Sequence, residues 1–257
     1  MKYLVAGKGF IGSALGEQLD GEVKYLDRSS GDYQEDITEE FEIEEEFDVV
    51  YHTIGLPPGF ATGKQYEEVH VKGTENLLEA VNADKIVYIS ALNPELDHPF
   101  FETKRKSEEL VKNSEMDHTI IRPSTVMGRG NKLLDLMRKT SVTRMFPRIS
   151  TRMQPIKLED LTDCLVKVAD KRNGEALNIA GPEKITVSEM AEKLYREEGR
   201  DCLIVPLPDG VLEEFLKTFG FINRPPMIKE NAKLLKADNT TESNHAPQLT
   251  QLQKPFS

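Results

Sequence analysis

Cysteine is nearly absent: only Cys164 and Cys202 occur in 257 residues. They stand far apart and lack metal-ligand spacing. Neither a disulfide framework nor a cysteine metal site is encoded, and the pair reads as buried thiols in a reducing, cytoplasmic setting. Long apolar runs are also missing, so no segment has the length of a membrane span. The first residues enter a core-like strand at once, which leaves no room for a signal peptide. Positive charge is in deficit: 33 Lys and Arg against 44 Asp and Glu give a net charge of -11. That balance disfavours nucleic acid and anionic membranes as general partners. No internal repeat is visible. The length suits one large α/β domain, or one domain with a smaller lobe, and 38% hydrophobic residues suffice for its core.

What is present is concentrated at the start. The apolar run Lys2-Tyr3-Leu4-Val5-Ala6 leads into Gly7-Lys8-Gly9-Phe10-Ile11-Gly12, and an amphipathic stretch from Ser13 to Leu19 follows. This is strand, glycine turn, helix, with G-x-G-x-x-G at the junction. Gly7 permits the tight turn, Gly9 keeps side-chain atoms away from a pyrophosphate, and Gly12 lets the helix pack closely on the strand. The helix N-terminus then offers free N–H groups to phosphates. Glu22 to Leu26 reads as a second strand ending at Asp27, the acidic residue this fingerprint requires further on. Its carboxylate suits the adenosine ribose hydroxyls and repels a 2′-phosphate, which favours NAD. Arg28 beside it can pair with that phosphate and keeps NADP open. Lys8 either reaches a phosphate or is merely exposed.

Strand and helix signals alternate through the first half. Residues 32–36 suggest a short third strand and 38–47 a short acidic helix. Strands follow over 48–54, 85–90 and 118–122. Helices are expected over 66–82, with Val69, Leu77, Leu78 and Val81 buried, and over 101–112. This βαβ alternation predicts a doubly wound parallel sheet, a Rossmann core over 1–123. The regularity breaks after Pro123. Residues 124–238 read as a mixed α+β substrate lobe, with helices over 159–169, from Ser188 as N-cap, and over 209–219, and strands over 176–180 and 203–207. Residues 239–257 read as a loosely ordered tail on which Leu249, Leu252 and Phe256 could dock. Ligand is expected at the C-terminal ends of the strands, where Thr53 and Gly55, the loop after Ser90, and Pro123 and Ser124 line the cleft.

Several segments, in order, resemble the extended or atypical short-chain dehydrogenases/reductases. Besides the glycine turn, Asp36-Ile37 resembles that family's Asp-hydrophobic pair near the adenine. The stretch from Val69 to Leu78 is similar to its N-x-x-G-T-x-N-L-L helix. Ile89-Ser90-Ala91 resembles the strand that ends in the active-site serine, and Ile121 to Gly128 the R-P-S-x-x-x-G segment beside the nicotinamide. Asn178 to Pro182 resembles a late family strand. The resemblance spans about residues 1–205 and is nearest to the nucleoside-diphosphate-sugar epimerase, NmrA-like and complex I accessory-subunit group.

The departure lies at the chemical centre. The family carries Tyr-x-x-x-Lys on the helix after the serine strand, and a spacing of four places both side chains on one helical face. Here Lys104 is in place, but Phe100 stands at the tyrosine position, and none of the seven tyrosines has lysine four residues later. Lys104 is the expected nicotinamide-ribose ligand, Ser90 a catalytic or substrate-orienting hydroxyl, and His98 a substitute acid with a suitable pKa. His52 and His70 read as packing or capping residues. The resemblance thus implies an NAD(P)-binding oxidoreductase or sugar-nucleotide epimerase-like enzyme acting on a small-molecule substrate. The alternative is a non-catalytic redox sensor or assembly subunit with a protein partner. Either form fits a monomer or homodimer.

Overall fold

The computed structural model describes residues 1–208, 233–234 and 237–256. Six strands form one wholly parallel sheet: β1 (Lys2–Ala6), β2 (Glu22–Leu26), β3 (Glu46–His52), β4 (Asn82–Ile89), β5 (Asp117–Pro123) and, later in the chain, β10 (Glu175–Ile179). Their order across the sheet is β10-β5-β4-β3-β1-β2. Chain order reverses between β1 and β3, which sets the crevice of a doubly wound fold there. Buried strands read as continuous apolar runs because both faces are covered. Tyr3 and Val5 pack with Leu15, Leu161 and Leu165 on one side, and Leu4 and Ala6 with Leu77 and Ala80 on the other.

The helices α1 (Phe10–Gly16) and α6 (Leu158–Lys167) supply the first of those layers, and α3 (Gly73–Ala80) and α4 (Pro99–Lys112) the second. A short α2 (Gly63–Tyr66) runs through a π-helical stretch, Glu67–Lys72, into α3. The wider π turn shifts the inward face. Tyr66, His70, Thr74 and Leu77 are buried, whereas Val69 and Leu78, expected inside, are only half-buried.

The smaller unit has its own core of Leu134, Met137, Phe146, Met190, Leu194 and Tyr195. These come from α5 (Lys132–Thr140), β7 (Met145–Pro147) and α7 (Val187–Glu197). Two two-stranded pairs complete it, β8 (Arg152–Met153) with β11 (Ile185–Thr186) and β7 with β12 (Leu203–Val205), while a third, β6 (Val126–Met127) with β9 (Ile156–Lys157), packs through Val126 and Ile156 on the core of the main sheet. Among the described residues no helix is long and apolar enough to cross a membrane.

Four local expectations are corrected. Residues 32–36 form only an isolated bridge between Leu26 and Tyr33. Residues 38–45 form turns and irregular chain, because Asn76 Nδ2 holds the carbonyls of Ile37 and Glu39 at 2.8 and 2.9 Å and no helical ladder competes. Helix α7 is capped by Thr186, in a capping box with Glu189. Ser188 instead turns inward and accepts from the Ile149 amide at 2.7 Å. Residues 239–256 are not loose. Ala246 is fully buried and Phe256 nearly so. Asn244 exchanges two hydrogen bonds with the Ala180 backbone, and Asp160 accepts from the Gln253 amide. Polar side chains fasten this segment, so a search for apolar periodicity passes over it. The helix expected over 209–219 lies outside the described residues.

Candidate functional site

The glycine turn is built as its spacing requires. Gly7 has φ +107°, a region that favours glycine. Its amide donates to the Leu26 carbonyl at 2.8 Å, so the turn hangs on the end of β2. A Cβ on Gly12 would stand 1.9 Å from the Gly7 carbonyl oxygen. A Cβ on Gly9 would meet nothing within 4 Å. Gly12 therefore serves packing, whereas the space over Gly9 is open for a ligand. Thr53 Oγ1 donates to the carbonyls of Ala6 and Gly7 at 3.0 and 2.9 Å and braces the turn from below. Phe10 leans across the mouth against Gly128 and Gly130, and Ile11 packs on the core.

Asp27 stands beside this turn. One carboxylate oxygen accepts from the Ser29 amide and hydroxyl and the Ser30 amide, and the other accepts from the Lys8 amide at 3.2 Å. Partial burial works against the charge, but these hydrogen bonds outweigh it and hold the pKa below the ordinary carboxylate value. Lys8 does not extend over the turn. Its ammonium lies 4.9 Å from the centre of the Tyr25 ring. Arg28 is exposed and faces Asp36 at 3.6 Å. Asp36 also accepts from the Thr38 amide and hydroxyl. Ile37 is buried against Gly73 in the core.

At the other side of the crevice, Lys104 is buried, and its ammonium donates to the Ile89 carbonyl at 2.8 Å over the Tyr88 ring. Burial pulls its pKa down to about 7. Gly55 lets the chain after β3 pass close by: a Cβ there would stand 3.2 Å from the Lys104 nitrogen. His70, carried inward by the π-helical stretch, accepts from the Leu56 amide at 3.0 Å through Nε2 and meets Thr103 Oγ1 at 2.9 Å through Nδ1. Burial, with the nearby Lys104 charge, pulls the pKa of His70 to about 2 and that of His52 to about 3. Both rings are neutral structural groups.

Each of the three expected catalytic residues is engaged within the protein: Lys104 on the Ile89 carbonyl, next to Ser90, and the other two as follows. Ser90 is buried, and its hydroxyl donates to Glu108 Oε1 at 2.5 Å. Glu108 is itself held by Arg122, whose Nε reaches Oε1 at 2.8 Å and whose Nη2 reaches Oε2 at 2.5 Å. The result is a buried staple joining β4, α4 and β5. His98 is the N-cap of α4: its Nδ1 accepts from the Phe100 amide at 3.1 Å. Phe100 lies edge-on to Tyr66, His70 and Phe101, with ring centres 5.6, 5.6 and 4.9 Å away. Pro123 and Ser124 are also buried. The Pro123 carbonyl accepts from Leu92, and the Ser124 hydroxyl donates to the Gln154 carbonyl. Sequence reasoning missed Glu108. The signal was there: Phe100, Phe101, Lys104, Ser107, Glu108 and Val111 recur at helical spacing, and all are buried.

A parallel doubly wound sheet with an open glycine turn at its crevice defines a dinucleotide-binding protein. The model of the NAD dependent epimerase/dehydratase family matches residues 3–180, and the chain belongs to that family. Among curated proteins it is similar to the mitochondrial NADH-ubiquinone oxidoreductase 40 kDa subunit of Neurospora crassa, with 27% identity over 65% of this chain and 46% of that one. It is also similar to the mitochondrial NADH dehydrogenase [ubiquinone] 1 alpha subcomplex subunit 9 of Arabidopsis thaliana, with 25% identity over 60% and 41%. The chain thus spans about half the length of these relatives. Among solved structures, MoeE5 in complex with UDP-glucose and NAD superposes with a TM-score of 0.68 at 20% identity, covering 92% of this chain and 98% of that one. UDP-glucuronic acid 4-epimerase from Bacillus cereus, in complex with NAD, gives 0.66 at 22%, covering 80% and 87%. At these identities the structures establish a shared fold.

Proposed function

We propose that this protein binds NAD(H) or NADP(H) and acts as a cofactor-holding subunit for a protein partner, without turning over a substrate. What supports this reading is the open glycine turn together with Phe100, a side chain without a proton to give, four residues before Lys104. The Gly7–Gly12 backbone and the start of α1 suit a pyrophosphate, the Asp27–Ser30 loop an adenosine ribose, and Lys104 a nicotinamide ribose. Bound there, the dinucleotide would supply a hydride-transfer group. Four residues before Lys104, where the family's helix carries its tyrosine, the ring of Phe100 offers no proton. Ser90 is engaged with Glu108 and His98 with the start of α4, so neither is free to replace it. Loss of a general acid typically costs about 10²–10⁴ in rate. The complex I subunits among the relatives favour a protein partner.

The test is a fluorescence titration of cofactor-stripped protein with NADH and NADPH, followed by a search for turnover with Phe100→Tyr alongside. Binding without turnover in both proteins is expected, because a hydroxyl at position 100 enters an aromatic cluster rather than a working site. Turnover gained by Phe100→Tyr would overturn the non-catalytic reading. Failure of both cofactors to bind would overturn the reading as a whole.

A further inference from the structure

Resting on that reading, we infer that the cradle is proton-linked: NADH binds the form with Lys104 charged, so binding takes up a proton in alkaline solution and the cofactor is released as pH rises. The surroundings of the Lys104 ammonium hold no unspent negative charge. It lies beside Gly55, and its one hydrogen bond among the described residues goes to the Ile89 carbonyl, with the Tyr88 ring on one side. His52 faces it from β3 and His70 from the π-helical stretch, and hydrogen-bond bookkeeping fixes both tautomers. His70 Nε2 accepts from the Leu56 amide, so its proton sits on Nδ1 and is donated to Thr103 Oγ1. That hydroxyl donates onward to the carbonyls of Pro99 and Phe100. Thr74 Oγ1 donates to the His70 carbonyl and therefore accepts from His52 Nε2. His52 Nδ1 is left as a buried lone pair with no partner among the described residues. Two neutral rings thus face Lys104, and neither offers it a counter-charge.

The carboxylate one turn further along α4, Glu108, is held by Ser90 and doubly by Arg122 from β5. Burial therefore prevails over the pull of Glu108, and the free ammonium gives up its proton at about pH 7. NADH changes that balance. Its ribose hydroxyls give the ammonium new acceptors in charge-assisted hydrogen bonds, and its pyrophosphate brings negative charge into the same crevice. The cations of the glycine-turn half do not meet that charge, since Lys8 lies on the Tyr25 ring and Arg28 faces Asp36. Both changes favour the charged lysine in the complex. Above about pH 7 the free protein must first take up a proton, and affinity falls as pH rises. Below that pH the lysine is already charged, and affinity is level.

The experiment follows Lys104 directly and through the cofactor, on the full chain. With lysine labelled at Cε, the Lys104 resonance, identified by its loss in Lys104→Met, should titrate in the free protein with a midpoint at about pH 7. NADH should bind about 25-fold more weakly at pH 8.5 than at pH 6.5. Calorimetry in two buffers of different ionisation enthalpy should find about one proton taken up per NADH at pH 8.5 and about a tenth of one at pH 6. Lys104→Met, an apolar side chain of similar length in a buried position, should make whatever binding remains independent of pH. The inference is overturned if the Lys104 midpoint lies near the ordinary lysine value of about 10.4. It is equally overturned if NADH binds with the same affinity across this range and takes up no proton, or if Lys104→Met keeps the pH dependence. Failure of NADH and NADPH to bind at any pH would refute the cofactor reading and this inference with it. The midpoint measured in the free protein tells the two failures apart.

Discussion

The two halves of the cleft are built on opposite principles. The glycine-turn half is made of backbone: Gly7, Gly9 and Gly12 contribute geometry and amides, and the space above Gly9 is empty. The lysine half is made of side chains that satisfy one another: Ser90 with Glu108 and Arg122, His70 with Thr103, Phe100 with its aromatic neighbours. A site made of backbone stays available for a ligand, because its groups have no flexible alternatives. A site made of side chains can fill itself, because its members are able to bond one another.

The largest contrast is expected between two glycines. Gly12→Ala should prevent stable folding, since the new Cβ meets a backbone carbonyl that cannot move aside. Gly9→Val should leave the melting temperature nearly unchanged and abolish NADH binding. If Gly9→Val bound cofactor normally, the open half would not be the pyrophosphate site. Circular dichroism and the cofactor titration separate the two effects.

Acid should attack the filled half first. His52 and His70 stay neutral in the folded protein down to about pH 3 and about pH 2, because burial lowers their pKa values. The unfolded chain takes up these protons from about pH 6.5 downward, so stability falls as pH drops through that window. At pH 5 the loss is about 2 kcal/mol per histidine. Denaturant titrations at pH 7 and pH 5 check this, and His70→Gln should shrink the difference. A flat profile would mean that the histidines are more accessible than the structure makes them.

The buried staple comes next. Glu108→Ala leaves the Arg122 charge without its partner and should cost about 3 kcal/mol. Ser90→Ala removes one hydrogen bond to that carboxylate while Arg122 still holds it, and should cost about 1 kcal/mol. Cofactor affinity should change little in Ser90→Ala. A large loss of affinity there would restore Ser90 to the binding site and erase the contrast between the halves.

The open half was legible in the sequence because its signals are local. A strand, three glycines at fixed spacing and an acid at the end of the next strand all precede Arg28, and each residue type answers a backbone requirement. The π-helical turn at His70 was not legible. Periodicity assumes 3.6 residues per turn, and the wider turn is selected by packing against Thr103 and Leu56. The partner of Ser90 was not legible either, because strand position says where a hydroxyl stands and not what faces it. Its partner, Glu108, comes from a helix 18 residues later. The docked chain end escaped for a related reason: its ties are asparagine side chains to distant backbone, a pattern with no period at all.

The amino-acid sequence by itself determined the parallel doubly wound sheet and the glycine turn, since hydrophobic alternation and backbone conformational freedom act between near neighbours. The tertiary structure decided which polar side chains are free. Whether a serine, histidine or asparagine meets a ligand or another residue depends on burial and on partners far along the chain, 145 positions away in the case of Asn93 and Asp238.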